Sequence, residues 1–254
     1  MRKIGFAICS EPSEQFMYPK DITIQNRLGI FSTRGSTTDS LVISDFRESH
    51  IKPLFEIKNG VFIDVGSHIG KWSIYSAKIL DNNGKVISIE PVIDNYNLLL
   101  KNIALNNIKN IYPLNMAASN QKGILYILED VLSPDRSHIS KKKPNQDIKT
   151  KINFYPVRVD TLDNIIKNMD ITIGDVELIK LDVEGHELEV LGGAENLLRN
   201  APNLRIIFEY INDSDHSFKD IYSYLIKFNY YIIKLDKLNY LALKGVSNDK
   251  IRER

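Results

Sequence analysis

Apolar positions along the chain fall into two alternating rhythms. Short runs of strand character stand at Val61–Val65 (VFIDV), Lys85–Ile89 (KVISI), Ile111–Leu114, Val176–Leu181 (VELIKL) and 204–210 (LRIIFEY). Between them, residues 71–80, 94–106, 187–199 and 218–229 carry apolar side chains at helical spacing. Elements of roughly five and roughly twelve residues in alternation predict right-handed βαβ crossovers and a parallel sheet. Residues 230–235 and 240–243 predict a terminal antiparallel hairpin around Lys237-Leu238-Asn239. The first sixty residues are less regular: 23–31 suits a strand, and 41–46 (LVISDF) suits either a strand or the start of a helix. The polar, basic stretch 133–151 (SPDRSHISKKKPNQDIKTK) separates 124–129 from 152–159. It reads as the solvated loop of an inserted hairpin, or as a substrate lid. The expected organisation is an N-terminal, substrate-side segment over 1–55 and a ligand-binding domain over 56–254, with a polar insertion at about 124–158.

Composition narrows the class. The chain has 254 residues, 43% of them hydrophobic, which is enough for a packed core and excludes a disordered or collagen-like protein. Its lone cysteine, Cys9, excludes an internal disulfide and cysteine-based metal sites. Lys and Arg number 33 against 32 Asp and Glu, a net charge of +1, so nucleic acid is not an expected partner. No run approaches the roughly 18 apolar residues of a membrane span, and the N-terminal apolar stretch of about six residues is short of a signal peptide. The expectation is a soluble, cytoplasmic protein.

Candidate chemistry begins at Asp64-Val65-Gly66-Ser67-His68-Ile69-Gly70, where a strand gives way to a helix. Gly66 permits a sharp turn and close backbone approach, and Gly70 lets the helix start tight against a ligand. Glu90 ends the next strand, where an acidic side chain can accept hydrogen bonds from ribose hydroxyls. Together these predict nucleoside binding at the carboxyl ends of the strands. The dinucleotide fingerprint is broken by His68 and Lys71, and the Walker spacing is one residue short. A phosphate-poor nucleoside fits best, S-adenosylmethionine above all, with Asp64 suited to its ammonium group. A third cluster, Asp182, Glu184, His186 and Glu187, follows the strand 176–181. So many ionisable groups beside a buried strand end suggest function, although Asp182 or Glu184 could also cap the following helix.

The motifs DVGSHIG, IEP (89–91), AAS (117–119), VDTLD (159–163), IKLDVEGHELEVLGGAE (179–195) and FEY (208–210) occur in order, and the chain over 36–210 resembles the FkbM family of S-adenosylmethionine-dependent methyltransferases. Ser67 and His68 stand where the family loop usually reads Ala-Asn. The resemblance implies the class I methyltransferase fold: an α/β, mostly parallel seven-stranded sheet with the last strand antiparallel and helices on both faces. It implies O-methylation of a small molecule or glycan, sugar or polyketide-like. Asp64, Gly66, His68, Gly70, Glu90 and Asp182 fall on cofactor positions, and Ala117 falls where backbone lines adenine. Asp182, Glu184 and His186 fall where the transferable methyl would lie.

Methyl transfer from a sulfonium to an alcohol needs in-line alignment and a proton acceptor. His186 has the intrinsic pKa for that acceptor, with Asp182 and Glu184 as the other candidates. No ligand spacing demands a metal, and none is expected. Lys141, Lys142 and Lys143 would tolerate an anionic acceptor. Rival readings are a nucleic-acid amino-methyltransferase, whose (N/D/S)PP(Y/F/W) motif is replaced here by DVEG, an oxidoreductase, and a non-catalytic nucleoside-binding or assembly protein on the same fold.

Overall fold

A computed structural model describes residues 22–35, 37–81, 83–130, 138–140, 152–211 and 216–245. Strands β1 (Ile22–Gln25) and β2 (Ile30–Thr33) form an antiparallel hairpin. Its turn is built by Asn26, whose Oδ1 accepts from the N–H groups of Leu28 and Gly29. The single strand predicted over 23–31 is therefore two. Helix α1 (Thr37–Val42) and a 3₁₀ turn at Lys52–Phe55 follow. Helix α1 takes in the start of 41–46, and the remainder is loop.

The predicted crossovers then appear in order: β3 (Val61–Val65), α2 (Lys71–Ile79), β4 (Lys85–Ile89), α3 (Ile93–Leu105) and β5 (Ile111–Leu114). A side sheet interrupts the series, formed by β6 (Ala117–Ala118), β7 (Gly123–Asp130), β8 (His138–Ser140) and β9 (Ile152–Asp160), in spatial order β6-β9-β7-β8. The series resumes with α4 (Leu162–Asn168), β10 (Val176–Leu181), α5 (Glu187–Gly192), α6 (Glu195–Asn200), β11 (Arg205–Glu209), α7 (Phe218–Ile226), β12 (Tyr230–Lys234) and β13 (Asn239–Lys244).

Seven strands make the main sheet in the order β12-β13-β11-β10-β3-β4-β5. The five from β11 to β5 run parallel; β13 pairs antiparallel with both neighbours. The reversed last strand follows from its short hairpin connection, since a parallel partner would need a crossover of a dozen or more residues. Strand periodicity splits the core in two. Val61, Ile63 and Val65 of β3 pack among residues of α4 to α7, while Phe62 packs with Trp72, Ile74 and Leu98 on the α2–α3 side. Asn102 of α3, fully buried, ties that side to the N-terminal hairpin. Its Oδ1 accepts from Ser32 N–H, and its Nδ2 donates to the carbonyls of Ser32 and Ile69.

The helix predicted over 187–199 is two helices. The break falls at Gly193-Ala194, where a Cβ on Gly193 would collide with the Ser119 carbonyl. The Gly193 carbonyl accepts from Asp163 N–H instead of continuing the helix, and the Asp163 carboxylate caps α6 by accepting from Asn196 and Leu197 N–H. The inserted hairpin is present as the β7–β9 ladder. Most of its basic loop, Lys141, Lys142 and Lys143 included, lies outside the described residues, as does the side chain of His138.

Candidate active site

The β3–α2 turn carries the glycine motif. Gly66 has φ 79°, and a Cβ there would collide with the Asp182 carbonyl oxygen, so this turn meets the end of β10 only with glycine in place. Gly66 and Ser67 N–H both donate to the Ile89 carbonyl, and His68 N–H donates to Glu90 Oε2 at 2.8 Å. Glu90 Oε1 accepts from Val92 N–H at 2.9 Å and from Asn95 Nδ2 at 3.4 Å. Burial pushes the Glu90 carboxyl up to about 7 despite these donors.

A cleft opens over the carboxyl ends of β3, β4, β10 and β11 and encloses about 980 Å³ of empty space, its open mouth included. One wall is apolar, with Ile89, Val92, Ala117 and Ala118 facing Ile127 and Ile139 of the side sheet. The opposite end is acidic, with Asp182, Glu184 and Glu209. Val42 and Arg47 of the N-terminal segment complete the rim. A smaller adjoining cavity shares Gly66, His68, Arg47 and Asp182 and adds Asp64, Lys71 and Lys180.

Strand register explains the acidic end. Asp64 lies level with Ser88 on one side and Lys180 on the other, and all three share the face that carries Phe62 and Leu178. This is a buried polar row beneath α2. Ser73 Oγ donates to Asp64 Oδ2 at 2.5 Å, and Ser88 Oγ donates to Ser73 Oγ at 2.6 Å. Lys180 Nζ sits 2.6 Å from Asp182 Oδ2. Burial works against the ammonium, but Asp182, Glu48 and Asp64 outweigh it and raise its pKa. Burial would raise Asp182 too; the charge and hydrogen bond of Lys180, with a further bond from Glu209, hold it below its ordinary value. Burial and the neighbouring Asp182 push Glu209 up to about 8. Asp64 is raised, by burial first.

Of the sequence candidates, Gly66, His68, Glu90, Ala117, Asp182 and Glu184 line the cleft. Asp64 lines the adjoining cavity, and Gly70 precedes α2 beneath it. His186 lines neither. It is 6% exposed, with Nε2 3.0 Å from Ser119 Oγ and Nδ1 3.8 Å from Glu189 Oε2. Its place is the joint between the end of β6 and the start of α5, apart from the cleft that the other candidates line. Glu209 and Lys180 lie within motifs that point to other residues, and Arg47 and Glu48 carry no motif signal. A lysine between the apolar Ile179 and Leu181 of VELIKL, and a glutamate at the end of IIFE, are the available signs.

The strand order, the reversed β13 and a cleft at the β3–β4 carboxyl edge define a class I methyltransferase fold. The sequence model of the FkbM methyltransferase domain matches residues 64–232, and the chain belongs to that family, whose methyl donor is S-adenosylmethionine. The chain is 26% identical over 168 residues to a methyltransferase of Sordaria araneosa, sdnD, covering 56% of this chain and 64% of that protein. Among solved structures, an FkbM methyltransferase of Methylobacillus flagellatus KT aligns at 17% identity and TM-score 0.49, covering 73% of this chain and 43% of that one. TYW2 of M. jannaschii, solved with AdoMet, aligns at 14% identity and TM-score 0.47, covering 88% and 85%. The chain thus spans less than two thirds of the curated relative's length. No helix among the described residues is long and apolar enough to cross a membrane.

The residues present fit S-adenosylmethionine. Asn95 Oδ1 in the cleft, and Asp64 Oδ1 and Ser67 Oγ in the adjoining cavity, are buried with no hydrogen-bond partner. Buried polar atoms are normally satisfied, and these three are available to a ligand beside a flat apolar slot.

Proposed function

We propose that this chain is an S-adenosylmethionine-dependent O-methyltransferase acting on a hydroxyl of a small molecule or glycan. The observation that carries the reading is one cleft joining an apolar slot, lined by Asn95 with its unpartnered Oδ1, to a carboxylate cluster. When bound, S-adenosylmethionine supplies a methyl group whose carbon–sulfur bond breaks with the electron pair remaining on sulfur.

The apolar slot between Ile89 and the side-sheet residues Ile127 and Ile139 holds the adenine. A carboxylate offers about four lone-pair sites. Three protein donors already occupy Glu90, which leaves one for a ribose hydroxyl. Asp64 and Asp182 face the cationic end, where negative charge favours a sulfonium and an ammonium. Val42 and Arg47 place the N-terminal segment on the acceptor side, and the guanidinium favours an acceptor that carries an anionic group. His186, held by Ser119, ties the end of β6 to the start of α5.

Calorimetric titration with S-adenosylhomocysteine, with NAD as control, tests the cofactor reading. Binding of the former alone is expected. Binding of NAD, or of neither, would remove it. Radiolabelled methyl transfer to a hydroxyl panel then separates an enzyme from a non-catalytic binder.

A further inference from the structure

We propose that Glu209 is the proton acceptor for the substrate hydroxyl, paired with Asp182, which Lys180 holds in place. The inference rests on the hydroxyl-methylation reading above and names a residue of that site which the sequence did not single out.

Register brings the pair together. β10 and β11 run parallel with Lys180 level with Ile207 and Leu181 level with Phe208, so Asp182 and Glu209 leave adjacent strands side by side. Glu209 shares the face of Ile207, and Asp182 that of Lys180, so both stand on the same side of the sheet. Both line the cleft. Side by side, the two carboxyls raise the cost of a second negative charge, so one of them holds a proton more readily than the other.

Lys180 decides which one. Its Nζ engages Asp182 Oδ2 at 2.6 Å, so Asp182 stays ionised and is a weak base. The proton resides on Glu209, whose affinity for it is increased by burial and by Asp182, with Glu184 and Glu48 adding repulsion and Lys180 opposing. The groups acting on Glu209 thus come from β10, from the loop after it and from the segment after α1, whose Arg47 lines the same cleft. A carboxylate titrating at about 8 is matched to proton transfer near neutral pH. In the step itself, the acceptor oxygen forms its bond to the methyl carbon as the hydroxyl proton passes to Glu209. That proton is then lost to water before the next turnover.

Glu209→Gln tests this, because an amide can still donate to Asp182 but cannot take the proton. Two readouts are needed. First, carboxyl ¹³C titration of the ligand-free protein labelled at Asp and Glu should show one group titrating near 8 that vanishes in E209Q. Second, methyl transfer from labelled S-adenosylmethionine to methyl glucoside, methyl glucuronoside and a 3-hydroxyalkanoate should rise with pH to a plateau above about 8. In E209Q it should fall roughly 100-fold or more and lose that limb, with S-adenosylhomocysteine affinity within a few-fold of wild type. Full activity in E209Q, or no carboxyl titrating above about 6, would overturn the role of Glu209 alone. A wild-type protein that binds S-adenosylhomocysteine yet methylates none of the hydroxyls would overturn the hydroxyl reading, and the proton acceptor with it.

Discussion

At the residue scale the site is governed by one lysine. Lys180 stands in a strand interior, 4% exposed, where an uncompensated ammonium would be costly. Asp182 at 2.6 Å compensates it, and Asp64 is level with it on β3. Removing the cation should cost more than any gain from a better-packed side chain. Lys180→Met is expected to destabilise by about 3 kcal/mol, the lower end of the range for a broken buried pair, because the Asp182 side chain keeps 30% exposure. That is a fall in Tm of roughly 6–12 °C in a chain of this size, measurable by scanning calorimetry. An unchanged Tm would mean that the pair contributes nothing to folding. Gly66, Glu90 and Asp182 were legible as individual residues because each type answers a local demand: a turn with positive φ, a strand-end carboxylate, a charge after an apolar run. His186 fits a base by residue type, but it stands apart from the cleft, because its partners Ser119 and Glu189 come from remote and neighbouring chain that spacing does not reveal.

At the element scale, periodicity located β3, α2, β4, α3 and β5 almost to the residue, since each is apolar on a face set by its own repeat. It failed at 187–199, where α5 and α6 share one unbroken apolar pattern. The break is imposed from outside by the Ser119 carbonyl against Gly193 and by the cap that Asp163 supplies from α4. The motifs VDTLD and LGGAE are therefore two halves of one joint. Asp163→Ala should lose about 1 kcal/mol, the usual worth of such a cap, and lower Tm by roughly 2–4 °C. Cofactor affinity should stay unchanged, since Asp163 does not line the cleft. Weakened S-adenosylhomocysteine binding in that variant would mean that the joint also sets the loop 182–185.

At the scale of the whole molecule, buried carboxylates give an unusual pH dependence. Glu90 and Glu187 titrate at about 7 and Glu209 at about 8, all raised first by burial from the ordinary 4.5. In that window the folded chain binds more protons than the unfolded chain, so stability falls as pH rises from about 4.5 to about 8. Asp39 and Asp182 are lowered, and Asp236 is lowered to about 2; their contribution is complete above their ordinary value near 3.8 and is lost only in stronger acid. The ligand-free protein should therefore show its highest Tm near pH 4.5–5 and a decline toward pH 8.5. Glu187→Gln, which lies outside the cleft, should flatten the part below about 7. A Tm that rises steadily with pH would contradict this balance. Sequence alone determined the α/β class, the strand order's parallel core, the reversed terminal hairpin and the glycine loop, because these follow from repeats and turn chemistry within about a dozen residues. Only the tertiary structure decided which ionisable groups meet. The Lys180–Asp182–Glu209 cluster exists because two parallel strands fall into one register, and His186 is withdrawn because the end of β6 packs against α5. Glu209 and Ser119 both arrive from distant segments, and no local pattern encodes those meetings.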